Sequence, residues 1–96
     1  MLKHVVFFKF KKEADPTAIA DVQKGLKALP GTISEIREFQ LGLDIIHSDR
    51  SYDMALISSF DDLDSMKRYQ VHPAHMAQVE KLRKICESIL AVDFEF

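Results

Sequence analysis

The chain is poor in cysteine and glycine and has no long apolar run. Its single cysteine, Cys86, cannot form an internal disulfide, which agrees with a reducing compartment and predicts a cytoplasmic protein. None of its three glycines is spaced as G-x-G, which argues against a glycine-rich phosphate loop. The absence of an 18-residue apolar span and of a charged-then-apolar leader predicts neither a membrane helix nor a secretory signal.

The charge of the chain does not indicate a charged partner. The net charge is −2 and both signs are interspersed along the 96 residues, so no basic surface for nucleic acid is predicted. The apolar fraction of 47% and the charged fraction of 29% are ordinary for a globular protein. We therefore predict one domain, residues 1–96, with no nucleic acid or membrane partner.

Hydrophobic periodicity predicts six elements in the order strand, helix, strand, strand, helix, strand. Their expected bounds are strand 2–10, helix from the Asp15-Pro16 start to Pro30-Gly31, strand 33–41 with a bend at Gly42, strand 52–60, helix from Pro73 to about Ser88, and strand 89–96. A short helical turn, capped by Asp61 or Asp62, precedes the second helix. This βαββαβ order predicts an α+β, ferredoxin-like sandwich, in which two helices cover one face of a four-stranded antiparallel sheet.

The strands carry apolar residues on both faces. Phe8 and Phe7 project to opposite sides of the first strand, as Leu56 and Ile57 do in the third. Soluble monomers rarely leave such a patch in water, so we expect the face without helices to pack against a second copy of the chain. A monomer with an apolar sheet face is the alternative.

The segment Tyr69-Gln70-Val71-His72-Pro73-Ala74-His75 contains the strongest functional signal. Pro73 suits the first helical position, which makes His72 an N-cap residue. His75 then shares a helical face with Val79, Leu82 and Cys86, spaced at i+4, i+7 and i+11. An imidazole on an inward face needs a polar partner or a wet pocket.

Two interpretations of this segment remain open. If Tyr69 and His75 converge, the imidazole could remove a proton next to a carbonyl while the phenol donates a hydrogen bond to the developing enolate. Alternatively, the two side chains satisfy each other with one hydrogen bond and only orient the helix. His4, on the apolar face of the first strand, is likewise either a satisfied core residue or a ligand contact. The histidine spacing predicts no metal site, and no cofactor is implied.

Three segments resemble the stress-responsive A/B barrel (Dabb, dimeric α+β barrel) family. They are the first strand 3–11, the third strand and following turn 52–62, and the Tyr69–His75 segment with its His-Pro-x-His pattern. The resemblance implies a homodimer whose sheets pack face to face. A few plant members are polyketide cyclases, in which the residues matching Tyr69 and His75 are the catalytic pair and the one matching His4 lines the cavity.

The sequence differs from those cyclases in two respects. Met54 stands where they carry a cavity histidine, and the first helix here has no aromatic residue between Ala18 and Leu29. We predict a pocket between sheet and helices, with Tyr69 and His75 as catalytic residues. The residues predicted to contact the substrate there are His4, Met54, Val6, Leu56 and Val79.

Three functions fit these predictions. The first is a homodimer that binds a small hydrophobic or carbonyl-containing molecule and acts as a cofactor-independent cyclase, lyase or isomerase. The second is a noncatalytic dimer that binds a metabolite or contributes to stress tolerance. The third, a cofactorless monooxygenase, rests on fold analogy alone.

Overall fold

The computed structural model describes all residues from Met1 to Phe96 and contains four strands and three helices. In chain order these are β1 (Leu2–Phe10), α1 (Pro16–Lys27), β2 (Glu38–Leu43), β3 (Met54–Phe60), α2 (Leu63–Gln70), α3 (Pro73–Ile85) and β4 (Cys86–Glu95). The strands form one antiparallel sheet in the order β2-β3-β1-β4. The predicted ferredoxin-like α+β fold is therefore confirmed. None of the helices is long and apolar enough to cross a membrane.

The helices begin at the residues that the sequence indicates. Asp15 caps α1, because its side chain accepts a hydrogen bond from the Thr17 amide at 2.9 Å. Asp62, rather than Asp61, caps α2 by accepting from the Ser65 amide at 2.8 Å. The segment after Asp62 forms a full eight-residue helix, longer than the predicted short helical turn.

The strand β2 begins five residues later than predicted. Ile33 and Ile36 belong instead to a turn, in which the Ile33 amide donates to the Leu29 carbonyl at 2.8 Å. Ile33 is buried in the core, so its hydrophobicity reflects packing rather than strand formation. Gly42 makes no bend, because it pairs with Ala55 in regular register.

The sheet contains one irregularity, between Lys9 and Phe10 of β1 opposite β4. The Phe10 amide donates to Asp53 Oδ2 at 2.7 Å, and the Asp53 amide donates to the Phe8 carbonyl at 2.8 Å. These bonds tie the approach to β3 into the end of β1. The strand β3 begins at Met54 rather than at the predicted Tyr52.

The helix α3 ends three residues earlier than predicted. Cys86 has an extended backbone and pairs with Phe10, so it opens β4 instead of extending the helical face of His75. The Ile85 carbonyl accepts a hydrogen bond from the Lys11 amide at 2.8 Å, which fixes the switch from helix to strand. Cys86 is nevertheless buried, as predicted, and burial raises the pKa of its thiol to about 11.

The two faces of the sheet differ in coverage. The inner face packs under the helices and contributes Val6, Phe8, Leu56 and Phe60 to the core. The opposite side, here called the outer face, presents Phe7, Ile57, Leu90, Val92 and Phe94, all of them exposed in the single chain. The prediction of apolar residues on both faces is therefore confirmed.

Candidate functional site

The break between α2 and α3 brings two side chains of the His-Pro-x-His segment together. α2 ends at Gln70, and α3 restarts at Pro73 with His72 as its N-cap. His72 Nδ1 accepts a hydrogen bond from the Ala74 amide at 3.1 Å, as the predicted N-cap role requires. The resulting bend places the rings of Tyr69 and His75 with their centroids 4.3 Å apart.

Tyr69 is completely buried and lies at the centre of an aromatic cluster. Its ring centroid is 4.9 Å from that of Phe60 and 6.3 Å from that of His4. Its hydroxyl has no hydrogen-bond partner, although most buried hydroxyls have one. Burial also raises the pKa of the phenol, so the group is protonated at neutral pH and retains a hydrogen to donate.

His75 is partly buried and is held by a backbone group. Its Nδ1–H donates to the Gln70 carbonyl oxygen at 3.0 Å, since a carbonyl can only accept. The neutral ring therefore carries its lone pair on Nε2. Burial lowers the pKa of His75, against the smaller opposing effect of the Gln70 bond, and thus favours this neutral form. Tyr69 and His75 do not satisfy each other with a hydrogen bond, so that alternative is wrong.

His4 is held by a carboxylate from the neighbouring strand. His4 and Asp93 lie opposite each other in the β1–β4 register, and His4 Nδ1 hydrogen-bonds to the Asp93 carboxylate. Sequence reasoning missed Asp93 as part of the site. The alternation of β4 places Asp93 on the less apolar side of that strand. Its pairing with His4, however, depends on the register between β1 and β4, which periodicity does not specify.

Three of the four predicted apolar pocket residues lie in the core. Val6, Met54 and Leu56 are buried in the core, and Val79 is partly buried. The largest described hollow, an open groove of about 980 Å³, runs along the β2 edge and borders Met54. Neither Tyr69 nor His75 lines this groove or the two smaller described hollows of about 320 and 280 Å³.

The structure thus brings His4, Tyr69, His75 and Asp93 together, and it places Val6 and Leu56 in the hydrophobic core. No group of three or more histidine, cysteine, aspartate or glutamate side chains is arranged to hold a metal ion. The cluster is suited to proton transfer and hydrogen bonding, because it contains an unprotonated imidazole nitrogen next to a protonated phenol.

The unpartnered Tyr69 hydroxyl leads to a prediction about stability. Tyr69→Phe should change the free energy of unfolding by less than about 1 kcal/mol, because no intramolecular hydrogen bond is lost. Tyr69→Ala should lower it by about 3–5 kcal/mol, the usual effect of removing a buried aromatic ring. Urea unfolding of both variants measures the two values. A loss of several kcal/mol in Tyr69→Phe would show that the hydroxyl has a structural partner.

Comparison with known proteins identifies the family. The model of the stress responsive A/B barrel domain matches residues 2–96. Protein SCO4036 of Streptomyces coelicolor, described as uncharacterized, is 35% identical over 99 residues and both chains are fully covered. An olivetolic acid cyclase from Cannabis sativa is 23% identical over 95 residues, which cover 97% of this chain and 94% of the cyclase.

Two solved structures show the same fold. A dimeric, ferredoxin-like protein of unknown function from Bacteroides fragilis has a TM-score of 0.88 and 34% identity, covering 99% of this chain and 95% of that one. The hydroxynitrile lyase of Passiflora edulis has a TM-score of 0.86 at 20% identity, covering 97% and 90%, and shows likeness of fold alone. With a family match over nearly its whole length, this chain belongs to the stress responsive A/B barrel domain family.

Proposed function

We propose that the protein is a homodimer joined through the outer face. That face exposes five large apolar side chains from three adjacent strands, Phe7, Ile57, Leu90, Val92 and Phe94. Such a patch is typical of an interaction surface. The Bacteroides fragilis protein of the same fold is dimeric, which supports the same assembly here.

We further propose that the Tyr69–His75 pair binds a small hydrophobic molecule containing a carbonyl group and catalyses proton transfer on it. The observation that carries this proposal is the buried Tyr69 hydroxyl, which has no protein partner and lies beside a histidine with an unprotonated Nε2. A ligand oxygen would satisfy the hydroxyl. The similarity to an enzyme named olivetolic acid cyclase supports a catalytic role.

The chemistry that this pair supports is enolisation. His75 Nε2 takes a proton from the carbon next to the carbonyl, the electron pair of that C–H bond forms the C=C bond, and the π pair of the C=O bond moves to the oxygen. The Tyr69 hydroxyl donates a hydrogen bond to this oxygen as negative charge develops on it. The imidazolium, after exchange of its proton with solvent, then returns a proton to the same carbon and the C=O bond re-forms, so no cofactor is consumed.

Hydrogen–deuterium exchange of acetophenone tests the proposal. Acetophenone is a hydrophobic ketone with enolisable methyl protons, and in D2O each enolisation replaces C–H by C–D. We expect the protein to accelerate loss of the methyl proton signal in a saturable way. A rate no faster than that in buffer containing an equal concentration of serum albumin would contradict the proposed function.

The pH dependence of this exchange follows from the lowered pKa of His75. The neutral base is the active form, and a lowered pKa keeps it populated at a pH where an ordinary histidine is already protonated. The rate should therefore stay constant as the pH falls through 6.5, the ordinary value, and decline only below it. A pH–rate profile for acetophenone exchange measures this, and a decline centred above 6.5 would contradict it.

A noncatalytic dimer is the second candidate. The packing of Val6, Met54 and Leu56 in the core favours it, as does the position of the 980 Å³ groove away from Tyr69. A thermal-shift screen over hydrophobic metabolites separates the two candidates. Stabilisation by a ligand that is equal in wild type, His75→Gln and Tyr69→Phe would place binding elsewhere and favour this second function.

A further inference from the structure

A second buried hydroxyl near Tyr69 also has no partner. Ser58 of β3 is completely buried, and its Oγ makes no hydrogen bond with any protein group. The next residue, Ser59, is buried to the same degree, but its Oγ donates to Glu38 Oε1 at 2.9 Å. Burying a hydroxyl without a partner is unfavourable, so the unsatisfied state of Ser58 calls for an explanation.

Ser58 lies on the part of the sheet that supports the Tyr69 ring. It is opposite His4 in the β1–β3 register, so both side chains leave the inner face at neighbouring positions. Phe60, two residues further along the same face, contacts Tyr69 at 4.9 Å between ring centroids. Two inner-face neighbours of Ser58, His4 and Phe60, are thus ring neighbours of Tyr69.

Asp93 holds the His4 ring beside these hydroxyls. His4 Nδ1 hydrogen-bonds to the Asp93 carboxylate, and the His4 ring centroid lies 6.3 Å from that of Tyr69. The hydroxyls of Ser58 and Tyr69 are both buried and have no protein partner. Two hydroxyl donors match the oxygen of a ligand carbonyl group, which has two lone pairs to accept them.

We propose that Ser58 is a ligand-contacting residue of this site, whose hydroxyl donates to an oxygen of the bound carbonyl compound. The inference rests on the proposed function. It assigns Ser58 a binding role, because the proton transfer itself needs only His75 and Tyr69. A hydroxyl retained for a ligand at a cost in stability also explains why Ser58 is buried without a protein partner.

Ser58→Ala and Ser59→Ala provide a matched pair of variants. Both remove one completely buried hydroxyl from adjacent positions of β3, but only Ser59 has a protein partner. In acetophenone exchange, Ser58→Ala should raise KM roughly three- to tenfold, the factor corresponding to one neutral hydrogen bond, and leave kcat within about twofold. Ser59→Ala should leave KM unchanged. The melting temperature should fall by several degrees in Ser59→Ala and stay level or rise in Ser58→Ala.

The outcomes separate the two proposals. If wild type accelerates exchange and Ser58→Ala has the wild-type KM, the role of Ser58 is overturned and the proposed function stands. If Ser58→Ala melts well below wild type with an unchanged KM, Ser58 is structural and its role is likewise overturned. If wild type itself does not accelerate exchange, the proposed function fails, and the ligand role of Ser58 fails with it.

Discussion

We expect Phe7→Lys to convert the proposed dimer to a monomer. Phe7 lies on β1, one of the two central strands, and is 44% exposed in the single chain. Two-fold symmetry places the substitution twice in each dimer. Each substitution should remove about 1.5–3 kcal/mol of favourable apolar burial, so the two together weaken the free energy of dimerisation by about 3–6 kcal/mol. This loss should raise the dimer dissociation constant by roughly 10²- to 10⁴-fold.

Sedimentation velocity at micromolar concentration measures this change. Wild type should sediment with about twice the 11.0 kDa mass of one chain, and Phe7→Lys with the mass of one. Met76→Lys is the control, because it introduces the same charge at an exposed apolar residue of α3 on the helical side. A wild-type protein that sediments as a monomer, or a Phe7→Lys variant that remains dimeric, would contradict the outer-face interface.

His75→Gln should reduce acetophenone exchange by about 10²- to 10⁴-fold, the usual contribution of a positioned general base. Glutamine fills a similar space and can still donate to the Gln70 carbonyl, but its amide cannot accept a proton from carbon near neutral pH. The loss should therefore appear in kcat while the melting temperature changes little.

His47→Gln is the control for this variant. His47 lies in the exposed loop between β2 and β3, far along the chain from α3, and its removal should leave the exchange rate at the wild-type value. Equal rates for wild type, His75→Gln and His47→Gln would remove His75 from the mechanism. A parallel loss in both variants would indicate that bulk histidine, rather than the site, catalyses exchange.

Several elements of the fold follow from local sequence. Asp15-Pro16 and His72-Pro73 place the starts of α1 and α3 at the observed residues, because a side-chain acceptor and a fixed proline φ act over one helical turn. The end of α3 does not follow from local sequence. Cys86 fits the helical periodicity, but pairing with Phe10 and the bond from the Lys11 amide to Ile85 draw it into β4.

The candidate site likewise contains residues that local sequence identifies and residues that it does not. Tyr69 and His75 can be picked out from the spacing around Pro73, and His4 from the alternation of β1. Asp93 and Ser58 could not be identified in that way. Each gains its importance from a partner about 50 to 90 residues away along the chain, through sheet registers that only the folded protein sets.

The sequence by itself determined the βαββαβ order, the helix starts and the apolar character of both sheet faces, because turns, caps and alternation act between near neighbours. Only the tertiary structure decided which polar groups are satisfied. It paired His4 with Asp93 and left the hydroxyls of Tyr69 and Ser58 buried without partners. Hydrogen bonding inside a protein depends on atoms meeting within about 3 Å, and residues distant in sequence meet at that range only when the whole chain packs.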